Sequence, residues 1–152
     1  MRIGVHGKDF QGQSSRFIEK VFGFLKAHKA DIHVSAKLLK QLKSSRFDVF
    51  KLKSFDHGDS LKNFELFISM GGDGTLLESV TFIGKHEVPI LGINTGRMGF
   101  LATISREETE KAIEDFFQGN FKLDSRTLLK LTADSPLFDG LNYALNDCTI
   151  IK

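Results

Sequence analysis

The 152-residue chain has a single cysteine, Cys148, so no disulfide can form within it, and a reducing compartment, the cytoplasm, is expected. It lacks any apolar run of membrane-spanning length, and Met1 to Phe10 is broken by Gly4, Gly7 and charges, unlike a signal peptide. It also lacks an excess of either charge. Twenty-one Lys and Arg face nineteen Asp and Glu, a net charge of +2, which argues against nucleic-acid and membrane partners and for small molecules or protein. Five histidines, His6, His28, His33, His57 and His86, show no metal-ligand spacing with one another or with Cys148, so none is read as a catalytic or metal-binding group. No Ser-His-Asp arrangement and no paired-carboxylate site is suggested either. What is present, 41% hydrophobic and 26% charged residues, suits a folded domain with a buried core and excludes disordered and collagen-like chains.

Along the chain, strand patterns alternate with helix patterns. Arg2 to His6 is a short apolar run stopped by Gly7, and from Ser14 onward Phe17, Ile18, Val21, Phe22 and Leu25 recur at helical spacing between Arg16, Glu19, Lys20 and Lys26. Asp31 to Ala36 suits a second strand, Lys37 to Ser45 a second helix and Asp48 to Leu52 a third strand, before the polar loop Asp56 to Ser60. Leu66 to Met70 is a continuous apolar run, the pattern of a strand buried on both faces of a parallel sheet. A helix over Thr75 to Lys85 and a strand over Val88 to Ile93 follow, with Pro89 near the strand's start. Ser105 and Glu108 form a capping box for a helix that buries Ala112, Ile113, Phe116 and Phe117 and stops at Gly119.

This alternation predicts an α/β fold: an open, mainly parallel Rossmann-like sheet with helices on both faces, whose ligands bind beyond the C-terminal ends of the strands. After Gly119 the pattern changes to strand-like runs, Leu128 to Ala133 and Leu141 to Ile151, with no helix between them. The expected division is therefore an α/β nucleotide-binding domain over 1–120 and the incomplete beginning of a β-rich second domain over 121–152.

Gly71-Gly72-Asp73-Gly74-Thr75 falls between a predicted strand and a predicted helix, where small residues let backbone amides approach a phosphate and the helix dipole favours an anion. Asp73 is the odd member, because a carboxylate beside a phosphate is costly unless it handles a proton or a metal. The competing reading is a tight turn whose glycines supply positive φ and whose Asp73 caps the helix. These five residues resemble the GGDGT signature shared by NAD kinases, by diacylglycerol and sphingoid-base kinases and, more loosely, by phosphofructokinases. The lipid kinases continue with Asn-Glu, whereas here Leu76-Leu77-Glu78-Ser79 follows.

Gly92-Ile93-Asn94-Thr95-Gly96-Arg97-Met98-Gly99-Phe100-Leu101-Ala102 resembles the longer NAD kinase block Gly-x-Asn-x-Gly-x-x-Gly-Phe-Leu. It reads as a second strand leading into a second glycine-rich loop, so the two loops should meet at one sheet edge. Taken singly, Phe100 could also be a core aromatic and Arg97 a solvated loop charge. Leu145-Asn146-Asp147 is similar to the Asn-Glu pair of NAD kinases, with Asp in place of Glu and one methylene less reach; alone it would read as a turn. Arg126 and Leu129 fit a family pattern with a structural role, and Glu78 departs from members that carry a basic residue there.

The resemblance to NAD kinases implies phosphorylation of the adenosine 2′-hydroxyl of NAD to give NADP, with ATP or polyphosphate as donor and Mg2+ or another divalent cation as cofactor. It implies Asp73 as catalytic base, Gly72, Gly74 and Thr75 lining the substrate near its diphosphate, Phe100 near the adenine, and Asn146 and Asp147 bonding the dinucleotide. Partners would be NAD and ATP, in a cytoplasmic homo-oligomer, dimer or tetramer. Family members continue into a β-rich second domain, so this chain is expected to be a fragment that needs downstream sequence for activity. The alternatives are a lipid kinase of the same superfamily and a free-standing, non-catalytic nucleotide-binding module.

Overall fold

The computed structural model describes residues 1–8, 13–43, 52–96, 99–135 and 141–145. Five strands, β1 (Arg2–Gly7), β2 (Asp31–Ser35), β3 (Lys53–Phe55), β4 (Leu66–Gly71) and β5 (Ile90–Asn94), form one sheet in the order β3-β2-β1-β4-β5. Every pairing in it is parallel. The chain leaves β1 toward β2 and β3 on one side, then returns to β4 and β5 on the other. The order therefore reverses between β1 and β4, the place where doubly wound sheets open a crevice.

Alternation along β1 decides which face each layer takes. Ile3 and Val5 are fully buried in a cluster with Ile68, Met70 and Ile93. Helices α1 (Gln13–Ala27), α2 (Ala36–Lys43) and α4 (Thr109–Phe117) contribute Ile18, Val21, Phe22, Leu25, Leu38, Leu42 and Ile113 to the same cluster. Gly4 faces the other side, where a Cβ would meet Phe67 at 2.9 Å and Phe64 at 3.1 Å, so this position leaves room for the rings packed on it. That second layer is a cluster of Phe55, Leu61, Phe64, Phe67, Phe82, Ile83 and Val88, with helix α3 (Asp73–Ile83) supplying Phe82 and Ile83. Helices thus lie on both faces, as the alternating pattern predicted.

Most predicted elements appear with shifted ends. The third strand does not coincide with the apolar alternation over Asp48 to Leu52: the observed strand is Lys53–Phe55, and residues 48–51 lie outside those described. It is a three-residue edge strand with one buried side chain, and its position is set by pairing with His33 to Ser35 rather than by its own hydropathy. The helix expected from Thr75 begins earlier, at Asp73, and a 3-10 turn over Gly84–His86 ends it. The Pro89 carbonyl accepts the Phe67 N–H at 2.8 Å, so the proline enters the sheet through its acceptor side. The capping box forms, the Ser105 N–H and hydroxyl donating to Glu108 at 3.1 and 2.7 Å and the Glu108 N–H to the Ser105 Oγ at 3.3 Å. Ile113 of the following helix is buried, Ala112, Phe116 and Phe117 only half so, and Gly119 takes a φ of 76° just beyond it.

A small antiparallel sheet follows, β6 (Leu128–Lys130) paired with β7 (Tyr143–Leu145). Leu128 and Leu145 pack on Leu76, Val80 and Ala102. Leu129 is exposed, so the apolar contact at this entrance is made by its neighbour Leu128, and Arg126 bonds Asp124 at the surface. Tyr143 lies beside Gly84 and Leu145 reaches the cluster around Leu76, so β7 runs along α3 toward the helix's N-terminal half. Among the described residues no helix is long and apolar enough to cross a membrane.

Candidate active site

Strand β4 ends at Gly71 and α3 begins at Asp73, so Gly72 alone makes the junction, as an extended N-cap with φ −93° and ψ −169°. Its carbonyl accepts the N–H groups of Thr75 at 3.0 Å and Leu76 at 3.2 Å. None of Gly71, Gly72 and Gly74 has a positive φ, and Asp73 makes no capping bond, which overturns the tight-turn reading of this motif. The glycines are there for space. A Cβ on Gly71 would collide with the Thr75 side chain, whereas the Cβ positions of Gly72 and Gly74 are open, leaving a bare backbone at the sheet edge. Thr75 itself is 6% exposed and sits behind the loop, its hydroxyl against Gly71.

The second loop leaves β5 at Asn94 and curls back on it. Asn94 Oδ1 accepts the Gly96 N–H at 2.8 Å, its Nδ2 donates to the Ala102 carbonyl at 3.3 Å, and its backbone N–H donates to Ile104 at 2.7 Å. Gly92 permits this return, since a Cβ there would lie 2.7 Å from Leu76 Cδ1 and 3.1 Å from the Ala102 Cα. The two loops meet as predicted. Thr95 donates to the Gly71 carbonyl at 3.3 Å. The Asp73 carboxylate accepts three successive backbone N–H groups, Phe100 at 2.8 Å on one oxygen and Leu101 and Ala102 at 3.0 Å on the other. The amides of Ala102, Phe100 and Leu101 hold the Asp73 carboxyl below the usual aspartate range, because each favours its charged form.

Gly99 is the condition for this clamp: a Cβ there would fall inside the Asp73 carboxylate. Gly99→Ala is expected to push the carboxylate off its donors. Hydrogen exchange at Phe100, Leu101 and Ala102 should then quicken by about tenfold or more while β4 amides stay protected; unchanged exchange at the three amides would contradict the clamp. Phe100 is 95% exposed, so it is no core aromatic; its ring stands in solvent beside the loops while its own amide is anchored. Arg97, Asn146 and Asp147, also singled out in the sequence, lie outside the described residues.

A group that sequence reading missed adjoins the same edge. The carboxylate of Glu78, on α3, receives Lys8, just beyond β1, and Lys37, on α2, at 2.9 Å for the latter. His6 lies 3.4 Å away through Nε2 and is fully buried, its Nδ1 2.7 Å from the Ser35 hydroxyl, whose oxygen also accepts the Leu38 N–H at 3.2 Å. Burial pushes the His6 imidazole below its usual range, which keeps it neutral at pH 7. Burial would raise the Glu78 pKa from 4.5, yet the two lysines draw it down to about 2. A depressed carboxylate contributes stability above its unfolded pKa that is lost as pH falls through the folded one. Between pH 4.5 and about 2 the wild-type unfolding midpoint should therefore fall more steeply than that of Glu78→Gln, a difference read by urea denaturation; parallel curves would remove Glu78 from the acid limb.

Of the other described histidines, His28 contacts Glu114, His33 contacts Asp31 and His57 contacts Thr81, while His86 ends the 3-10 turn after α3. Among the described residues no three His, Cys, Asp or Glu side chains converge as a metal cage, and both Asp73 oxygens are spent on amides. A hard divalent cation of the Mg2+ type suits such an edge only when phosphate oxygens supply most of its ligands.

A doubly wound parallel sheet with two glycine-rich loops clasped at the C-terminal ends of the neighbouring strands β4 and β5 defines the class, an open α/β domain. The chain belongs to the ATP-NAD kinase N-terminal domain family, whose profile matches residues 3–121. It is similar to the NAD kinase of Cytophaga hutchinsonii, 36% identical over 153 residues that cover 100% of this chain and 52% of that protein. The NAD kinase of Methanothermobacter thermautotrophicus is 31% identical over 144 residues, 93% of this chain and 48% of that protein. The chain thus spans about half the length of the curated relatives it matches. The crystal structure of yeast NADH kinase complexed with NADH superposes with a TM-score of 0.71 at 19% identity, over 95% of this chain and 46% of that one, a likeness of fold.

Proposed function

We propose that the protein carrying this chain is an NAD kinase, which transfers a phosphoryl group from ATP or polyphosphate to the 2′-hydroxyl of the adenosine ribose of NAD. The observation that carries this reading is the Asp73 carboxylate, fixed at a strand-to-helix junction between two glycine-rich loops with the exposed Phe100 ring beside it. The names of the relatives point the same way.

In this reading the open backbone at Gly72 and Gly74 lies along the substrate's diphosphate, and Thr75 braces the turn behind them. Phe100 stacks on the adenine, and Asn146 and Asp147 bond the dinucleotide. The charge of the donor's phosphates would be screened by a divalent cation such as Mg2+ when one is bound. The ribose 2′-oxygen attacks the terminal phosphorus, the bond to the leaving phosphate breaks, and the hydroxyl proton passes to Asp73 and then to water. A carboxylate with a lowered pKa is a weak base toward an alcohol, so the proton moves late, when the oxygen has already bonded to phosphorus. The α/β unit is taken to span 1–120, a division supported by the end of the family match at residue 121, with 121–152 belonging to a β-rich unit that completes the site.

The test is NADP formation from NAD with Mg2+ and ATP or polyphosphate, comparing this chain with the protein extended by its natural downstream sequence. NADP from the extended form and little from the chain alone is the expected result. Phosphorylation of diacylglycerol or sphingoid bases without NADP would establish the lipid-kinase reading, and inactivity of the extended protein with both donors would leave a binding module.

A further inference from the structure

Three consecutive N–H groups, those of Phe100, Leu101 and Ala102, converge on one point in a stretch that forms neither helix nor strand. Successive loop amides aimed inward make a concavity of positive potential, the arrangement that proteins use to hold phosphate and other oxyanions. Here its occupant is internal, the Asp73 carboxylate, which offers two oxygens to three donors at 2.8 to 3.0 Å. The contact is open at the carboxylate and at Phe100, while Ala102 at its other end is 1% exposed. Asp73 is half-exposed, Phe100 is almost wholly in solvent, and the open backbone of Gly72 and Gly74 flanks the carboxylate.

We propose that the Phe100, Leu101 and Ala102 amides form a phosphate subsite for which Asp73 is the resident anion, and that a phosphate group of the substrate displaces the carboxylate on entering. This rests on the phosphoryl-transfer reading above. A phosphate presents more charge and more acceptor oxygens than a carboxylate, so it can satisfy all three donors without the shared oxygen that Leu101 and Ala102 now use. The exchange also acts on Asp73. Three amides favour its ionised form, and once they turn to phosphate the carboxylate is free to face a hydroxyl and regains basicity. Filling the subsite and releasing the base become a single event, and in its absence the base stays locked.

Inorganic pyrophosphate titrated into the 13C,15N-labelled full chain tests this, in the unmodified protein and in Asp73→Ala. Removing the internal competitor should tighten pyrophosphate binding by about tenfold or more, since the subsite is then always open. The largest amide shifts should fall at Phe100, Leu101 and Ala102. In the unmodified chain the same three amides should move at higher concentration, together with the Asp73 carboxyl carbon and with one dissociation constant. Equal affinity in the two proteins, or shifts that spare the three amides, overturns the proposal. If Asp73→Ala does not fold, the joint movement in the unmodified chain decides, its presence supporting the exchange and its absence overturning it. The readout needs no turnover. Pyrophosphate in the subsite of a protein that makes no NADP removes the kinase reading alone, and NADP formation with unmoved amides removes the exchange alone.

Discussion

Asp73→Asn in the complete protein is expected to lower NADP formation by about 10²-fold or more, the scale of general-base loss, with a modest change in NAD affinity. The amide oxygen of Asn can still accept from the Phe100 to Ala102 donors, but its NH2 group meets N–H where Asp73 presents a second acceptor, so the two loops lose part of their clasp. That loss falls on binding and on loop order, whereas loss of the proton acceptor falls on turnover, and separate measurement of kcat and of the NAD dissociation constant divides the two. The sign of the pH dependence follows from the same contacts. Three donors hold Asp73 below its ordinary range, so it is ionised throughout the neutral region, and no fall in activity between pH 8 and about 5 belongs to it. Near-normal turnover in Asp73→Asn would take this residue out of the proposed mechanism.

How far such a site can be read from sequence depends on how local its determinants are. Leu66 to Met70 is legible because a central parallel strand buries both faces and leaves a continuous apolar run, and α1 because one face alone is buried. β3 is not legible: a short edge strand with one buried side chain takes its register from β2, and its own residues carry little period. The two glycine-rich loops were legible as motifs, and so was their meeting at one edge, since strands that neighbour in a parallel sheet end on the same side.

The contacts between the loops were not. Asp73 and its three donors are 27 to 29 residues apart, and no spacing rule links a carboxylate to backbone amides that far along the chain. Glu78 was visible only as a departure from a family pattern; that it gathers Lys8, Lys37 and buried His6 depends on β1, α2 and α3 packing together. Thr75 belongs to the motif, yet its side chain is buried against Gly71, whose missing Cβ leaves room for it. Motif membership marked the loop and left the direction of each side chain to the packing.

Phe67→Ala is expected to destabilise the fold by about 3–5 kcal/mol, the usual range for emptying a buried aromatic site. Phe67 is fully buried at the centre of β4, its ring 5.5 Å from Phe55 and 6.4 Å from Phe82, and it fills the space that Gly4 leaves open. Three elements therefore meet at this one side chain. Against a total stability of about 5–15 kcal/mol such a loss approaches the threshold of folding. In thermal unfolding it corresponds to a drop of roughly 6–20 °C for a chain of this size. Phe67→Leu should cost less, since most of the volume is kept. The consequence for the site is specific, because β4 delivers Gly71 and Gly72 to the edge and Phe82 ties α3 to the same cluster. Loosening Phe67 slackens the strand before the first glycine-rich loop and the helix after it, so NADP formation by the complete protein should fail at a lower temperature, in step with unfolding. Activity that stays at wild-type level while the unfolding temperature drops would mean that the loops are held by their mutual clasp and do not depend on the aromatic layer beneath them.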